Sequence, residues 1–474
     1  MTFALDDNAV AQWPLLLRTT LALALILLSG WLLVYHIFPL YDPAFPVTRD
    51  ISTAAQGLLF AVLAVIAMRY SSLFKLEPFS IVAIALMPGG VALAFFGVAA
   101  ASPLIMIISS TLMRIGMAWL QIVVGVSLLR LNPQQLCVCI AVAFIISILI
   151  QYLLLLLPGG GIAFAVIPFV TYLLAAPYAK PVFEAFKANE PPFDVRLIRP
   201  SSFLPFSHYL FICILVFRII CGFALSFGET GGTPMWTFLS PLPMLVLVAV
   251  FIGLKWHIRA DGLFEVSALL NIAGFLLVPL TLFIAANPVV STLLSAGVAC
   301  FDYLFWFLLI SVAGRNPHGA IPVFAWGNSL SCFGLIAGAF FGRAVNTLVT
   351  TNPSMLILAV AVLLWVFIVY VLLILKRFSF DAAILAIEPE TSAVSPVLDY
   401  GSLHVLCEHI AGHYGLTPRE SEVFSMLARG RSGRYITDAL GISHNTVNAH
   451  VKHIYKKLDI HSHQELLDLL ERQY

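Results

Sequence analysis

Twelve apolar runs, each about the 20 residues a helix needs to cross roughly 30 Å of hydrocarbon, follow one another through the first four-fifths of the chain. They fall near 15–38, 51–68, 79–99, 104–129, 136–157, 162–179, 204–227, 236–254, 264–286, 291–313, 322–342 and 354–375. Composition points the same way. The chain is 61% hydrophobic and 10% charged, where a soluble domain carries roughly 25% charged residues. Too few charges remain to coat a globule of 474 residues, so a multi-pass membrane protein is expected. Lysine plus arginine (25) nearly cancels aspartate plus glutamate (24), which excludes a globally basic coat but not a local DNA-reading domain. Cys137, Cys139, Cys213, Cys221, Cys300 and Cys332 lie in apolar stretches, and no CxxC pair or His/Cys cluster has zinc spacing. Neither a metal, a cofactor nor a disulfide frame is therefore expected. The opening MTFALDD lacks a basic n-region, so the first run is expected to be kept as a span.

The breaks between runs carry turn residues, such as Pro158-Gly159-Gly160-Gly161 and Asn287-Pro288. The longest, about 180–203, divides the spans six and six. Basic loop residues set the orientation. With the N-terminus inside, the inner side carries Arg69, Lys75, Arg130, Lys180, Lys187, Arg196, Arg199, Lys255, Arg259, Arg315, Lys376 and Arg377, and the outer side only Arg49 and Arg343. Both termini are then cytoplasmic. The expected organisation is a transmembrane domain over 1–377, a linker over 378–401 and a soluble, helix-patterned domain over 402–474.

In that last segment Thr417, Pro418 and Glu420 open a helix as a capping box with proline at its first position. Leu416, Val423, Met426 and Leu427 form its buried stripe. Ser432 caps a short second helix that Gly441 closes, Ser443 caps a third through about Leu458, and Ser462 with Glu465 caps a fourth. This is a helix-turn-helix arrangement. In the third helix Val447, Val451, Ile454 and Leu458 face inward. Asn448, Lys452 and Lys456 repeat on another face, with Asn445 and Ala449 beside them. That face suits a major groove, where asparagine reads adenine and lysine binds guanine or phosphate. It also suits solvent on a small bundle.

The string Leu416-Thr417-Pro418-Arg419-Glu420, the turn Gly441-Ile442-Ser443, then Asn445-Thr446-Val447, His450, His453-Ile454-Tyr455 and Lys457-Leu458 resembles the DNA-binding domain of LuxR-type regulators. The resemblance covers about residues 414–472. It implies a four-helix module whose third helix enters the major groove and whose fourth pairs protomers. It further implies that Asn448, Ala449 and Lys452 approach bases, that Arg434 and Lys456 approach phosphate, and that Asn445 and His450 lie at the same interface. Asn448 stands where the family commonly has lysine, and Tyr435-Ile436-Thr437 where it has Glu-Ile-Ala. The partners implied are double-stranded promoter DNA, a second protomer and RNA polymerase, in a bacterial cytoplasmic membrane.

Upstream, twelve spans in a six-plus-six pattern resemble the major facilitator superfamily, although the loop RYSSLFKLEP lacks that family's glycine-rich Asp-Arg motif. The fold class expected is thus all-α: a facilitator-like twelve-span bundle followed by a cytoplasmic helix-turn-helix domain. In facilitator folds spans one, four, seven and ten line the central cavity. The deep ionisable residues Arg114, Arg218 and Asp302 fall on spans four, seven and ten, with Arg18 near the inner end of span one. A charge at the bilayer centre costs about 2.5–3.5 kcal/mol, so these groups are expected to face a cavity or one another. Two roles stay open for them: a structural Arg–Asp pair between the halves, or a site where Arg114 and Arg218 hold a ligand's anion. Trp119 and Trp306 follow on the same helices, and with Tyr303 and Trp326 offer surfaces on which a planar ligand stacks. His36, Gln56, Gln121, Gln151, His208 and Asn328 are further cavity candidates. The function expected is a membrane-bound one-component regulator, in which an unidentified small molecule biases the membrane domain and so the DNA-binding domain. The alternative is a transporter with a fused regulatory module. No nucleophile–base pair, metal cluster or phosphate loop points to an enzyme.

Overall fold

The computed structural model describes residues 7–41, 45–156, 162–188, 209–226, 260–279, 288–315, 319–351, 354–375, 400–428, 436, 440–441, 444–460 and 466. The chain divides into two compact units, Met1–Phe193 with Ile198–Pro389, and Asp194–Leu197 with Glu390–Tyr474. All regular structure among the described residues is helical.

The first unit contains α1 (Asp7–Leu32), α2 (Phe45–Arg69), α3 (Leu76–Ala99), α4 (Pro103–Ser127), α5 (Pro133–Leu155), α6 (Ala163–Ala188), α7 (Tyr209–Ser226), α8 (Ala260–Leu277), α9 (Pro288–Arg315), α10 (Ala320–Thr351) and α11 (Ser354–Leu375). Nine of these are long and apolar enough to cross a bilayer; α7 and α11 contribute shorter apolar stretches. The span expected at 236–254 lies outside the described residues, so α8 to α11 correspond to the ninth to twelfth expected spans. Lipid offers no partner for N–H or C=O groups, so the backbone closes its bonds within each helix. Large apolar side chains face outward, among them Phe96, Ile81 and Trp365. Among the described helices α4 and α9 are the most buried, with 72% and 78% of their apolar stretches inside the unit, against 33% in α3 and α6.

Local sequence explains several joints. Asn132 and Gln135 close a capping box, and Pro133 occupies the first helical position of α5. The α1 helix ends in a π-helical turn, Leu33–Ile37. With 32 residues, α10 spans about 48 Å at 1.5 Å per residue, well beyond the hydrocarbon thickness, and so carries Arg343 and Asn346 on regular helix. It packs along α7 in its own half and α2 in the other. Its approach to α7 depends on Gly338: a Cβ there would lie 1.9 Å from the Ile219 carbonyl oxygen. A second tie between halves joins α9 to α5, where the Tyr303 hydroxyl donates to the Cys137 carbonyl at 2.8 Å.

The second unit contains α12 (Tyr400–His413), α13 (Pro418–Ala428) and α14 (His444–Leu458). Its core gathers Cys407, Ile410, Val423, Phe424, Leu427, Ile436, Val447, Ile454, Leu458, Ile460 and Leu466. The expected capping box is present: Thr417 N–H donates to Glu420 Oε2 at 2.8 Å, and Glu420 N–H to Thr417 Oγ1 at 3.3 Å. Gly441, with φ of 62°, adopts the left-handed conformation that glycine takes without Cβ strain.

Candidate functional sites

Within the membrane unit a group of charged and polar side chains lines one cavity of about 270 Å³. Its polar wall is made by Arg49, Asp50, Thr53, Gln56, Arg114, Gln121, Arg218, Asp302 and Asn328, and its apolar wall includes Trp31, Phe144, Phe305 and Trp306. The helices supplying the charges are α2, α4, α7 and α9. Arg218 and Asp302 form an ion pair at 2.5 Å. The guanidinium also lies over two ring faces, 5.2 Å from the Phe301 centroid and 4.8 Å from that of Phe305, an arrangement that stabilises a desolvated cation.

Arg114 is placed differently. Its Nη1 donates to Gln56 Oε1 at 3.1 Å, and Gln56 Nε2 donates to Gln121 Oε1 at 3.1 Å. Its guanidinium lies 5.8 Å from the Phe38 ring, and its Nε is buried with no hydrogen-bond partner. Among the described residues no carboxylate forms an ion pair with it, and Arg49 adds a like charge nearby. Of the two roles left open for these residues, an Arg–Asp pair does form, but it joins Arg218 to Asp302 within the second half and not across the halves.

At one end of the cavity Asp50 binds two arginines, Arg49 at 3.2 Å and Arg343 by a short ion pair. Arg49 also donates to Ser226 Oγ at 3.4 Å, and Asn346 donates to the Ser226 carbonyl at 2.9 Å. This cluster joins α2 to α7 and α10, across the halves. Sequence reasoning treated Arg49 and Arg343 only as loop charges and passed over Asp50. The signal available was an Arg-Asp dipeptide at the mouth of a span.

Trp306 lines the cavity as expected, but Trp119 does not. Its indole N–H donates to Ser80 Oγ at 2.9 Å, and its ring packs on Phe79 and Phe183 at 5.1 and 5.6 Å. A tryptophan five residues after Arg114 is turned about 500° around the helix at 100° per residue, which carries it to another face. Tyr303 and Trp326 lie off the cavity wall, as do His36 and Gln151, whereas Gln56, Gln121 and Asn328 line it. The Asn328 amide is satisfied locally, by the Phe324 carbonyl at 2.8 Å. Arg18 is exposed and away from the cavity. His208 lies outside the described residues.

In the second unit α14 turns Val447, Ile454 and Leu458 into the core. Asn445, Asn448, Ala449, Lys452 and Lys456 are exposed and His450 is half-buried. At helical spacing the five exposed residues share one face of α14, with two cations, two amides and the small Ala449, the chemistry a groove-reading helix needs. Arg434 lies outside the described residues, as do the expected caps Ser432, Ser443, Ser462 and Glu465. What holds α14 against α13 escaped the sequence reading. Glu420, almost fully buried, accepts from Lys457 Nζ at 2.7 Å, and the same ammonium donates to the Gly415 carbonyl at 2.9 Å. The Lys457 hydrogen bond and the Thr417 backbone N–H hold the Glu420 carboxyl well below its ordinary value, at about 2. Arg419 fastens the turn by donating to the Leu440 carbonyl at 2.9 Å.

Comparison with known proteins gives relatives for the C-terminal segment. Residues 415–470 match the profile of the bacterial regulatory proteins of the luxR family. The uncharacterized response regulatory protein YgeK of Escherichia coli (strain K12) is 40% identical over 72 residues, which are 14% of this chain and 49% of that protein. The transcriptional activator protein ExaE of Pseudomonas putida is 47% identical over 55 residues, 12% of this chain and 26% of that one. The chain thus spans about half the length of the first relative and a quarter of the second. Among solved structures, the major facilitator superfamily proton:xylose symporter XylE bound to 6-bromo-6-deoxy-D-glucose aligns over 80% of this chain and 100% of its own, at 12% identity and a TM-score of 0.49.

Proposed function

We propose that this chain, whose residues 415–470 are a LuxR-type DNA-binding domain carried behind a bundle of apolar helices, is a one-component transcriptional regulator of the bacterial cytoplasmic membrane. The single observation that carries the reading is one polypeptide holding both a DNA-reading helix and a charged cavity among membrane-spanning helices. A charge in hydrocarbon is expensive, and a cavity lined by five charged side chains is suited to a small polar ligand. A ligand that binds two arrangements of the halves with different affinity shifts their populations, and the Asp50–Arg343 contact between halves is a point at which those arrangements would differ. The bias then reaches promoter DNA, bound by a homodimer on two half-sites within reach of RNA polymerase. Asn445, Asn448, Ala449 and Lys452 read bases, while Lys456 and Arg434 hold phosphate and His450 packs at the edge of that surface. The domain boundaries proposed are 1–377, 378–401 and 402–474, with both termini cytoplasmic.

Footprinting of the full chain on selected genomic fragments tests this. Lys456→Ala lowers the slope of log affinity against log salt by about 0.9, as expected for one lost phosphate contact. Asn448→Ala relaxes preference at one base position, a discrimination of about 1–3 kcal/mol. Equal weakening of specific and random DNA by Asn448→Ala refutes the base-reading role.

A further inference from the structure

We infer that the membrane cavity takes a small aromatic carboxylate, with its anionic end on Arg114 and its ring against the tryptophan and phenylalanine wall. The inference rests on the reading of the cavity as a small-molecule site and names the chemistry that site selects.

Arginine has donors and no acceptor, so the single oxygen that Arg114 reaches, Gln56 Oε1, fixes the orientation of that amide. The Gln56 amino group must then point the other way, and it does, donating to Gln121 Oε1. Each step passes the donor role along, so the chain ends on the Gln121 amino group, and Gln121 lines the cavity. The result is a cluster of donors formed by the remaining Arg114 N–H groups and the Gln121 amide. Such a cluster is complementary to an oxyanion and hostile to an ammonium.

Charge narrows the class. The lining holds three arginines (Arg49, Arg114, Arg218) against two aspartates. Asp302 is taken by Arg218, and Asp50 is shared by Arg49 and Arg343. Of the three lining arginines only Arg114 forms no ion pair with a carboxylate among the described residues, and a single carboxylate on the ligand supplies one. A neutral ligand would leave the guanidinium as it stands. A carboxylate matches the planar fork of arginine with two parallel hydrogen bonds. Size narrows it further: a cavity of about 150 Å³ holds a benzene, so 270 Å³ admits one ring with a short acid side chain. Trp31, Phe144, Phe305 and Trp306 supply the surface for that ring.

The test uses the purified full chain in detergent, its unfolding midpoint followed by tryptophan fluorescence. The probes are benzoate, phenylacetate and 3-phenylpropanoate, each with its primary amide and the corresponding amine. At least one acid is expected to raise the midpoint saturably while its amide and amine do not. Arg114→Gln is expected to weaken that acid about tenfold or more, the equivalent of a charge-assisted hydrogen bond. Gln56→Glu supplies an internal carboxylate to Arg114, so it raises the midpoint of the unliganded protein and abolishes the acid's effect. Arg114→Lys keeps the charge but not the fork, and binds the acid more weakly than wild type and more tightly than Arg114→Gln. If Arg114→Gln fails to accumulate, the Gln56→Glu and Arg114→Lys outcomes decide. The inference is overturned if the amides stabilise as well as the acids, if no acid shifts the midpoint, or if Gln56→Glu responds like wild type. Acid binding that leaves operator affinity unchanged removes the sensing reading and keeps this one. An operator response to a compound other than these acids, with none of the acids binding, does the reverse.

Discussion

Arg218 in α7 and Arg114 in α4 stand one in each half of the membrane unit and line the same cavity. Arg218 has a carboxylate at 2.5 Å and aromatic faces around it. Arg114 has one amide oxygen at 3.1 Å and, among the described residues, no carboxylate. Burying a charge is tolerable when it is paired, and breaking a buried pair is far more costly than losing it whole. The second half therefore holds its arginine for structure. The first half holds Arg114, which forms no ion pair among the described residues and, as inferred above, takes a ligand's carboxylate.

The largest effect that separates the two is expected from Asp302→Asn. It strands Arg218 in a low-dielectric site, a loss of about 3–5 kcal/mol for a buried pair broken at one end, and folded protein in the membrane falls steeply. The exchange Arg218→Asp with Asp302→Arg restores a pair and much of the abundance. Quantitative immunoblotting of membranes measures both. Arg114→Gln, by contrast, removes a charge with no ionic partner, so membrane abundance is not reduced. If it depletes the protein as strongly as Asp302→Asn does, the two arginines play the same role and the contrast is wrong.

How much of this was legible beforehand differs between regions for a physical reason. Helix existence follows from runs of apolar residues, because a bilayer admits little else, and eleven of the twelve expected spans have helices among the described residues. In the second unit α13 was readable from its capping box and α14 from its inward-facing residues, signals that act within a few positions of one another. Pairing was not readable. The sequence put Arg114, Arg218 and Asp302 on three spans expected to line one cavity, but rotation of each helix about its axis decides who meets whom, and it gave Arg218 the carboxylate. The same rotation took Trp119 to Ser80 and away from the cavity. Hydropathy alone made Arg49 and Arg343 loop charges and gave Asp50 no role, and only the fold shows that the three meet.

A smaller effect sharpens the comparison outside the membrane, where a buried charge pair is reached by water. Glu420 has its carboxyl lowered from an ordinary value of 4.5 to about 2 by Lys457 and Thr417. A depressed acid stabilises the fold above its unfolded value, and that stability drains away as pH falls from about 5 toward 2. Hydrogen exchange of α13 and α14 amides in the full chain is expected to rise across that window. Glu420→Gln flattens the profile and destabilises the unit by about 1 kcal/mol, a modest figure because Lys457 is about a third exposed and water screens its charge. An unchanged profile in that variant would assign the pH dependence elsewhere.

The central claim is that the arrangement of the membrane halves governs operator binding, and a crosslink between them tests it most directly. A Cβ on Gly57 of α2 would lie 2.9 Å from the Cβ of Cys332 on α10, and Cys332 is a free thiol. A disulfide needs about 3.5–4.5 Å between these atoms, so Gly57→Cys can bridge the halves after a small adjustment. The measurement is operator affinity of this variant in lipid nanodiscs, oxidised and reduced, across a panel of small metabolites, with Gly57→Cys/Cys332→Ser as control. The account predicts that at least one compound changes the affinity of the reduced protein about fivefold or more, within the usual range of coupling between sites, and leaves the oxidised protein unmoved. A response of the same size with the crosslink complete would contradict it.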